Sequence, residues 1–308
     1  MTNAASVPNI FSTMARRLAE RAQGVNPHPG IGNWPVRPRV GAGMTDLTLN
    51  DGRAMPQLGM GTWQISDSQA AAIVRQGIDL GYRLVDTAAI YRNERGVGDG
   101  VKASDVWVTT KLWNDRQDAA EAALDESLAL LGRDSVDLYL MHWPVPGAGQ
   151  FVEAWAAMVR LRDAGKALSI GVSNFLPEHL DAIVAATGVT PAVNQIELHP
   201  TFQQRENVAY HQAHGIVTQS WSPIGQGKAL LTDPRITAIA DRHHRSAAQV
   251  VIAWHLAKGY SVIPKASSAE HLSDNLAAAD WQLSADDIAA IDELDTSDGR
   301  LGPDPREM

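Results

Sequence analysis

The chain has 308 residues, no cysteine, 44% hydrophobic and 20% charged residues, and a formal net charge of -9. Disulfides, thiolate metal sites and a catalytic thiol are thereby excluded, and nucleic-acid contact would run against an unfavourable field with no Lys/Arg stripe to offset it. The hydrophobic share fits a sizeable buried core, and the length admits either two modest domains or one α/β barrel of about 250 residues.

Residues 1–44 read differently from the rest. An amphipathic stretch from Phe11 to Gln23 carries Arg16, Arg17 and Arg21, and a Pro/Gly-rich run follows from Asn26 to Gly43. This pattern predicts a flexible N-terminal extension, disordered or partly helical, ahead of a domain spanning 45–308. Glu20 and the long proline linker argue against an organelle-targeting helix, and an upstream start with Met44 as the usual first residue is the simpler account. No apolar run reaches the roughly 18–20 residues that span a bilayer, and the N-terminus lacks a secretory apolar core, so no membrane role and a cytoplasmic location are expected.

From Leu47 the alternation of Leu47 and Leu49 before Asn50-Asp51-Gly52 predicts a short hairpin. A repeat of strand then helix follows. Strands are predicted at Gln57 to Trp63, Arg83 to Ala88, Asp105 to Leu112, Val136 to Trp143, Ala167 to Asn174, Ala192 to Leu198, Ile216 to Pro223 and Ser261 to Ala266. Helical apolar spacing runs between them, as in Ala119 to Leu131 and Gln150 to Ala164, and several helices end at glycine, at Gly81, Gly132 and Gly165. Eight such units predict an α/β fold of the (β/α)8 TIM-barrel type, with an open doubly wound sheet as the alternative. An open Rossmann sheet would want a G-x-G-x-x-G turn after its first strand. Gly96, Gly98 and Gly100 have the wrong spacing and a helical context, and Gly59 and Gly61 fall inside the first strand.

In such a barrel, chemistry gathers at the C-terminal ends of the strands. Asp86 ends the second predicted strand, Tyr91 follows in the loop, Lys111 ends the third and His142 the fourth. Singly each has an innocent explanation: a helix cap, a packed rim aromatic, a snorkelling stem, a satisfied interior imidazole. Together they suit reduction of a carbonyl, where charge develops on oxygen and needs a proton donor in reach. Tyr91 is then the donor, and Lys111 lowers its pKa by favouring the phenolate. Asp86 holds Lys111 in place and charged, and His142 polarises the carbonyl oxygen.

The surrounding motifs are specific. They are Asp86-Thr87-Ala88 with Tyr91, Thr109-Thr110-Lys111-Leu112-Trp113, Leu140-Met141-His142-Trp143-Pro144, Gly171-Val172-Ser173-Asn174-Phe175, Asn194-Gln195-Ile196-Glu197-Leu198-His199-Pro200 and Ile263-Pro264-Lys265. From about Leu47 to Arg300 the chain resembles the aldo-keto reductases, most closely the bacterial 2,5-diketo-D-gluconate reductase type. The resemblance implies a catalytic tetrad of Asp86, Tyr91, Lys111 and His142 and reduction of small aldehydes, ketones or dicarbonyls with NADPH.

It also implies that Ser173, Asn174 and Gln195 bind the nicotinamide carboxamide, with Trp221 stacked on the ring and Gly61, Thr62 and Trp63 nearby. The turn Ser222-Pro223-Ile224-Gly225-Gln226-Gly227 would lie along the pyrophosphate, Lys265 and Ser267 would meet the adenosine 2'-phosphate, and Asp274 and Asn275 the adenine. This agrees with the general placement of barrel phosphate sites after strands seven and eight. His271 stands where the family usually has arginine, which implies NADPH use with weaker discrimination against NADH, NADH being possible, and an NADPH affinity that falls as the imidazole loses its proton.

Trp63, Trp113 and Trp143, with His142, are expected to wall the substrate pocket. No metal is expected, because His211 with His214 and His243 with His244 lie in helical, surface-looking stretches without convergent carboxylates. A non-enzymatic NADPH-binding sensor or regulatory subunit is the alternative reading, distinguished by tight cofactor binding without turnover. The family default implies a monomer that meets a small carbonyl substrate.

Overall fold

A computed structural model of the protein describes residues 45–227 and 229–308; the predicted N-terminal extension lies outside the described residues. The hairpin pairs β1 (Asp46–Thr48) antiparallel with β2 (Ala54–Pro56). Its turn needs Gly52, whose φ of 85° is a left-handed value that a side chain would oppose.

The repeat then runs β3 (Met60–Gly61), α1 (Asp67–Leu80), β4 (Leu84–Asp86), α2 (Glu94–Val101), β5 (Trp107–Leu112), α3 (Ala120–Leu131), β6 (Val136–Met141) and α4 (Phe151–Asp163). It continues through β7 (Ala167–Ser173), α5 (Pro177–Thr187), β8 (Val193–Glu197), α6 (Arg205–Ala213), β9 (Val217–Trp221), α7 (Pro234–His243), α8 (Ala247–Ala257), β10 (Ser261–Val262), α9 (Ala269–Leu276) and α10 (Ala285–Asp292).

Strands β3 to β10 pair in parallel in chain order. The two edges meet: Leu58 bridges Val262 and Gly61 bridges Lys265, with Gly59 N–H donating to the Val262 carbonyl at 2.9 Å. The sheet therefore closes into the predicted (β/α)8 barrel, and the open-sheet alternative is excluded. Closure at Gly61 explains the glycine, since a Cβ there would stand 2.9 Å from the Ile263 carbonyl oxygen.

Alternation along β6 sends successive side chains to opposite faces. Tyr139 and Met141 pack with helix residues such as Leu124, Trp155 and Met158. Leu138 and Leu140 join Leu84, Val193 and Ile263 in a separate cluster that also takes Leu49 and Met55, so the hairpin packs against this strand set. The helices stop where expected: α1 ends at Gly81 with φ 114°, its N–H returning to the Gly77 and Ile78 carbonyls. Gly96, Gly98 and Gly100 serve close helix approach in α2, since a Cβ at Gly96 would sit 2.1 Å from the Asp67 carbonyl oxygen and one at Gly98 2.5 Å from that of Leu131.

Candidate active site

Because β4, β5 and β6 are parallel and in register, their last residues come to one end of the barrel, and the loops after them carry Tyr91, Trp113 and Trp143 to the same end. The Lys111 ammonium is fully buried and donates to Asp86 Oδ1 at 2.5 Å, to the Thr87 carbonyl at 2.9 Å and to the Tyr91 hydroxyl at 3.5 Å. Its three hydrogen-bond partners match the three donors of an ammonium. Asp86 Oδ2 is satisfied from the other side by Gln195 Nε2 at 2.8 Å. That amide also donates to Gln219 Oε1 at 2.7 Å, and Gln219 donates to Ser261 Oγ at 2.9 Å. The ion pair is thus held from β8, β9 and β10 as well as from its own strands.

Charge states follow from burial and these partners. Burial pushes Lys111 down, but the carboxylate of Asp86 and the hydroxyl of Tyr91 outweigh it, and the ammonium is held charged. Asp86 is raised, by burial first, against the pull of Lys111. Tyr91 is also raised: burial is the largest cause and the lowering by Lys111 is smaller. The contribution of Lys111 has the sign expected from the sequence, yet the net direction is upward, because desolvation of a phenolate outweighs one cation across 3.5 Å. His142 is pushed well below the ordinary histidine range by burial and by Lys111, so the ring is neutral. Its Nδ1 is buried without a hydrogen-bond partner among the described residues, and its ring meets Tyr91 and Trp113 edge-on at 5.9 and 5.0 Å.

A cleft of about 780 Å³ opens above these groups. Asp86, Tyr91 and His142 line it together with Trp63, Trp113, Trp143, Ile90 and Gln64. Trp63 is 46% exposed, so one wall is open to solvent. The cleft continues over Gly61, Asn174, Gln195 and Trp221 to Ser222, Pro223, Ile224, Gln226, Gly227 and Lys265. Sequence reasoning did not name Ile90 or Gln64 for this wall. Their signal is position, since each directly neighbours a named residue, Tyr91 or Trp63.

Other expected binding residues stand behind that lining or away from it. Thr62 is buried and donates to the Asp86 carbonyl at 2.9 Å. Ser173 is buried and donates to the Gln195 carbonyl at 2.7 Å. Asn174, at φ 62°, donates to the His142 carbonyl at 3.0 Å and accepts from Trp221 Nε1 at 2.8 Å, so it ties β7 to two walls. Gly225, with φ 60°, lies under the turn against Leu230. Ser267 and His271 are exposed at and near the start of α9, Asn275 is buried in it, and Asp274 accepts from Ser246 Oγ at 2.7 Å and Gln249 Nε2 at 2.9 Å.

The turn after β9 is unusual backbone: Ser222, Gly225, Gln226 and Gly227 all have positive φ, between 48° and 68°. A fully buried histidine of α8 supports it. His255 Nε2 lies 3.1 Å from the Pro223 carbonyl, which can only accept, so Nε2 carries the proton and Nδ1 accepts from Ser220 Oγ at 3.1 Å. Burial drives His255 down to about 3, which keeps the ring neutral.

His211 is a correction to the surface reading. It is fully buried, its Nε2 2.9 Å from Asn194 Nδ2 and its Nδ1 2.9 Å from Thr218 Oγ1, with its pKa driven down to about 4 by burial. No group of three or more His, Cys, Asp or Glu among the described residues is placed to hold a metal.

The family model described as aldo/keto reductase matches residues 56–296. The chain belongs to the aldo/keto reductase family. As a member it is an NADP(H)-dependent oxidoreductase acting on carbonyl groups. An aldo-keto reductase of Mycolicibacterium smegmatis is 49% identical over 267 residues, 84% of this chain and 96% of the relative. The methylglyoxal reductase DkgA of Salmonella typhimurium is 46% identical over 273 residues, 87% of this chain and 99% of the relative. Among solved structures, a mutant of Gox0644 in complex with NADPH superposes with a TM-score of 0.84 at 49% identity, covering 86% of this chain and 98% of that one.

The residues present in this reductase fit a dinucleotide. The cleft offers an indole face at Trp221, amides at Asn174 and Gln195, a bare backbone at Gly61, a positive-φ turn and an exposed ammonium at Lys265. No described helix is long and apolar enough to cross a membrane.

Proposed function

We propose that this chain reduces small aldehydes, ketones and dicarbonyls, with NADPH as reductant and Tyr91 as the general acid. The observation that carries this reading is the meeting of a protonated Tyr91 hydroxyl and a neutral His142 on one cleft lined by Trp63, Trp113 and Trp143, with a charged, buried Lys111 behind them. NADPH, when bound, supplies the hydride to the carbonyl carbon.

A proton donor must first hold its proton, and burial keeps Tyr91 protonated. As negative charge grows on the carbonyl oxygen, the hydroxyl proton moves to it, and the phenolate left behind lies 3.5 Å from the Lys111 ammonium. His142, neutral, carries a single ring N–H that orients the carbonyl oxygen without competing for the proton. Asp86 acts through Lys111 and is a positioning residue. Trp221 would stack on the nicotinamide, Asn174 and Gln195 would take its carboxamide, and the Ser222–Gly227 turn with Lys265 would take the phosphates. The tryptophan faces favour small carbonyls with apolar parts.

The test is Tyr91→Phe, which removes the hydroxyl and leaves the cofactor residues alone. Turnover of methylglyoxal and phenylglyoxal is expected to fall by about 10²–10⁴ with NADPH affinity near that of the parent. Unchanged turnover refutes the role of Tyr91. Tight NADPH binding by the parent enzyme without turnover on a carbonyl panel refutes the reductase reading.

A further inference from the structure

Glu197 ends β8 on the same side of the barrel as the active site, yet it does not line the cleft. Its carboxylate is only 2% exposed and is spent on the C-terminal segment: Leu301 N–H donates to Oε1 at 2.6 Å and Gly302 N–H to Oε2 at 2.9 Å. His199 Nε2 adds a contact to Oε1 at 3.0 Å. Two backbone donors from consecutive residues on one buried carboxylate make a bidentate, charge-assisted clasp. The segment is held a second time where Gly299 crosses Thr201, since a Cβ at Gly299 would stand 1.8 Å from the Thr201 carbonyl oxygen.

The clasp ends against a cleft wall. A Cβ at Gly302 would lie 2.6 Å from Cη2 of Trp221 and 3.1 Å from Glu197 Oε2. The indole is therefore gripped at both ends, its Nε1–H by Asn174 Oδ1 at 2.8 Å and its benzo edge by the backbone at Gly302. Nothing in the sequence joins residue 302 to residue 221; the carboxylate at 197 does so.

We propose that Glu197 and Gly302 are positioning residues for the cofactor site. Glu197 clasps the C-terminal segment so that Gly302 sets how far the Trp221 indole reaches into the cleft. This rests on the reading that Trp221 stacks on the nicotinamide, and it extends the site to residues that touch neither cofactor nor substrate. Glu197→Gln keeps the shape but turns one accepting oxygen into an NH₂ that faces a backbone N–H. Gly302→Ala keeps both clasp donors and the carboxylate and presses chiefly on the indole.

The experiment measures, for the full-length enzyme and each variant, hydrogen exchange at Leu301 and Gly302, the NADPH dissociation constant by tryptophan fluorescence, and kcat at saturating NADPH. Glu197→Gln is expected to speed exchange at both amides by about tenfold and to weaken NADPH by about three- to tenfold, with kcat changed less than about twofold. Gly302→Ala is expected to weaken NADPH similarly with exchange at Leu301 unchanged. A purely structural clasp would speed exchange or lower the melting temperature while leaving NADPH affinity intact, and that result in both variants overturns the proposal. Trp221→Ala separates the two readings. If it weakens NADPH while the other variants do not, the clasp fails alone; if it leaves NADPH untouched, the stacking reading fails and the clasp with it.

Discussion

Replacing Lys111 with methionine tests the electrostatic arrangement of the site most directly. The substitution keeps a long apolar stem in a fully buried position but removes the partner 2.5 Å from Asp86 Oδ1. The carboxylate is left with Gln195 at 2.8 Å as its remaining side-chain donor. Breaking a buried pair by removing one member costs about 3–5 kcal/mol. At about 2–4 °C per kcal/mol for a domain of this size, melting should fall by about 10 °C. Asp86 can relieve part of the cost by taking a proton, because burial already drives its pKa up. A carboxyl with a raised folded-state pKa stabilises at low pH and loses that contribution as pH rises, so the deficit should be larger at pH 8 than at pH 5. Adding Asp86→Asn removes the unpaired charge and should restore most of the melting temperature. Turnover should stay lost in the double variant, since Tyr91 no longer faces a cation at 3.5 Å. The assay is thermal melting at both pH values with NADPH oxidation for the four proteins of the cycle. Parent-like melting of Lys111→Met at both pH values, or regained turnover in the double variant, refutes the reasoning.

Buried neutral histidines should make the fold acid-sensitive. His211 and His255, lowered to about 4 and about 3, take up protons on unfolding once pH drops below the ordinary histidine value of 6.5. These two groups alone contribute up to about 2.7 kcal/mol per pH unit between pH 6 and 4.5, at about 1.36 kcal/mol per proton, and His142, also pushed well below the ordinary range, adds to the slope; urea titrations that show no such slope sink the assignment. His255→Phe keeps a packed ring but drops the donor to Pro223. It should weaken NADPH by about tenfold with kcat at saturation nearly unchanged, and equal losses in both would place the ring in general stability instead. His271→Arg should raise the preference for NADPH over NADH by about tenfold. A preference left unchanged by the substitution removes His271 from the phosphate site.

What the sequence makes legible here is whatever a local pattern carries. Eight apolar strands announced the barrel, and the polar ends of three of them announced where Asp86, Lys111 and His142 meet, because a parallel register brings strand ends together by construction. Glycines before β4 and between α3 and β6, at Gly81 and Gly132, were readable as helix stops because only a left-handed φ ends a helix so abruptly. His211 was misread because its helix has a weak apolar face, and nothing local shows that Asn194 and Thr218 wait for its two ring nitrogens. The chain Asp86–Gln195–Gln219–Ser261 was equally invisible: its members come from four strands, and Gln195 was expected as a partner of the nicotinamide, not of Asp86.

The same division explains the acidity of Tyr91. The sequence correctly supplied a cation beside the hydroxyl, and a pairwise argument from Lys111 alone gives a lowered pKa. Desolvation is a property of everything packed around the group, and it reverses the sign. The reversal suits the proposed role: a donor at Tyr91 would remain protonated before reaction, and the Lys111 interaction would be strongest for the phenolate formed afterwards. Stabilisation aimed at the charge that develops, with little of it spent on the starting hydroxyl, is what lowers a barrier instead of merely tightening binding.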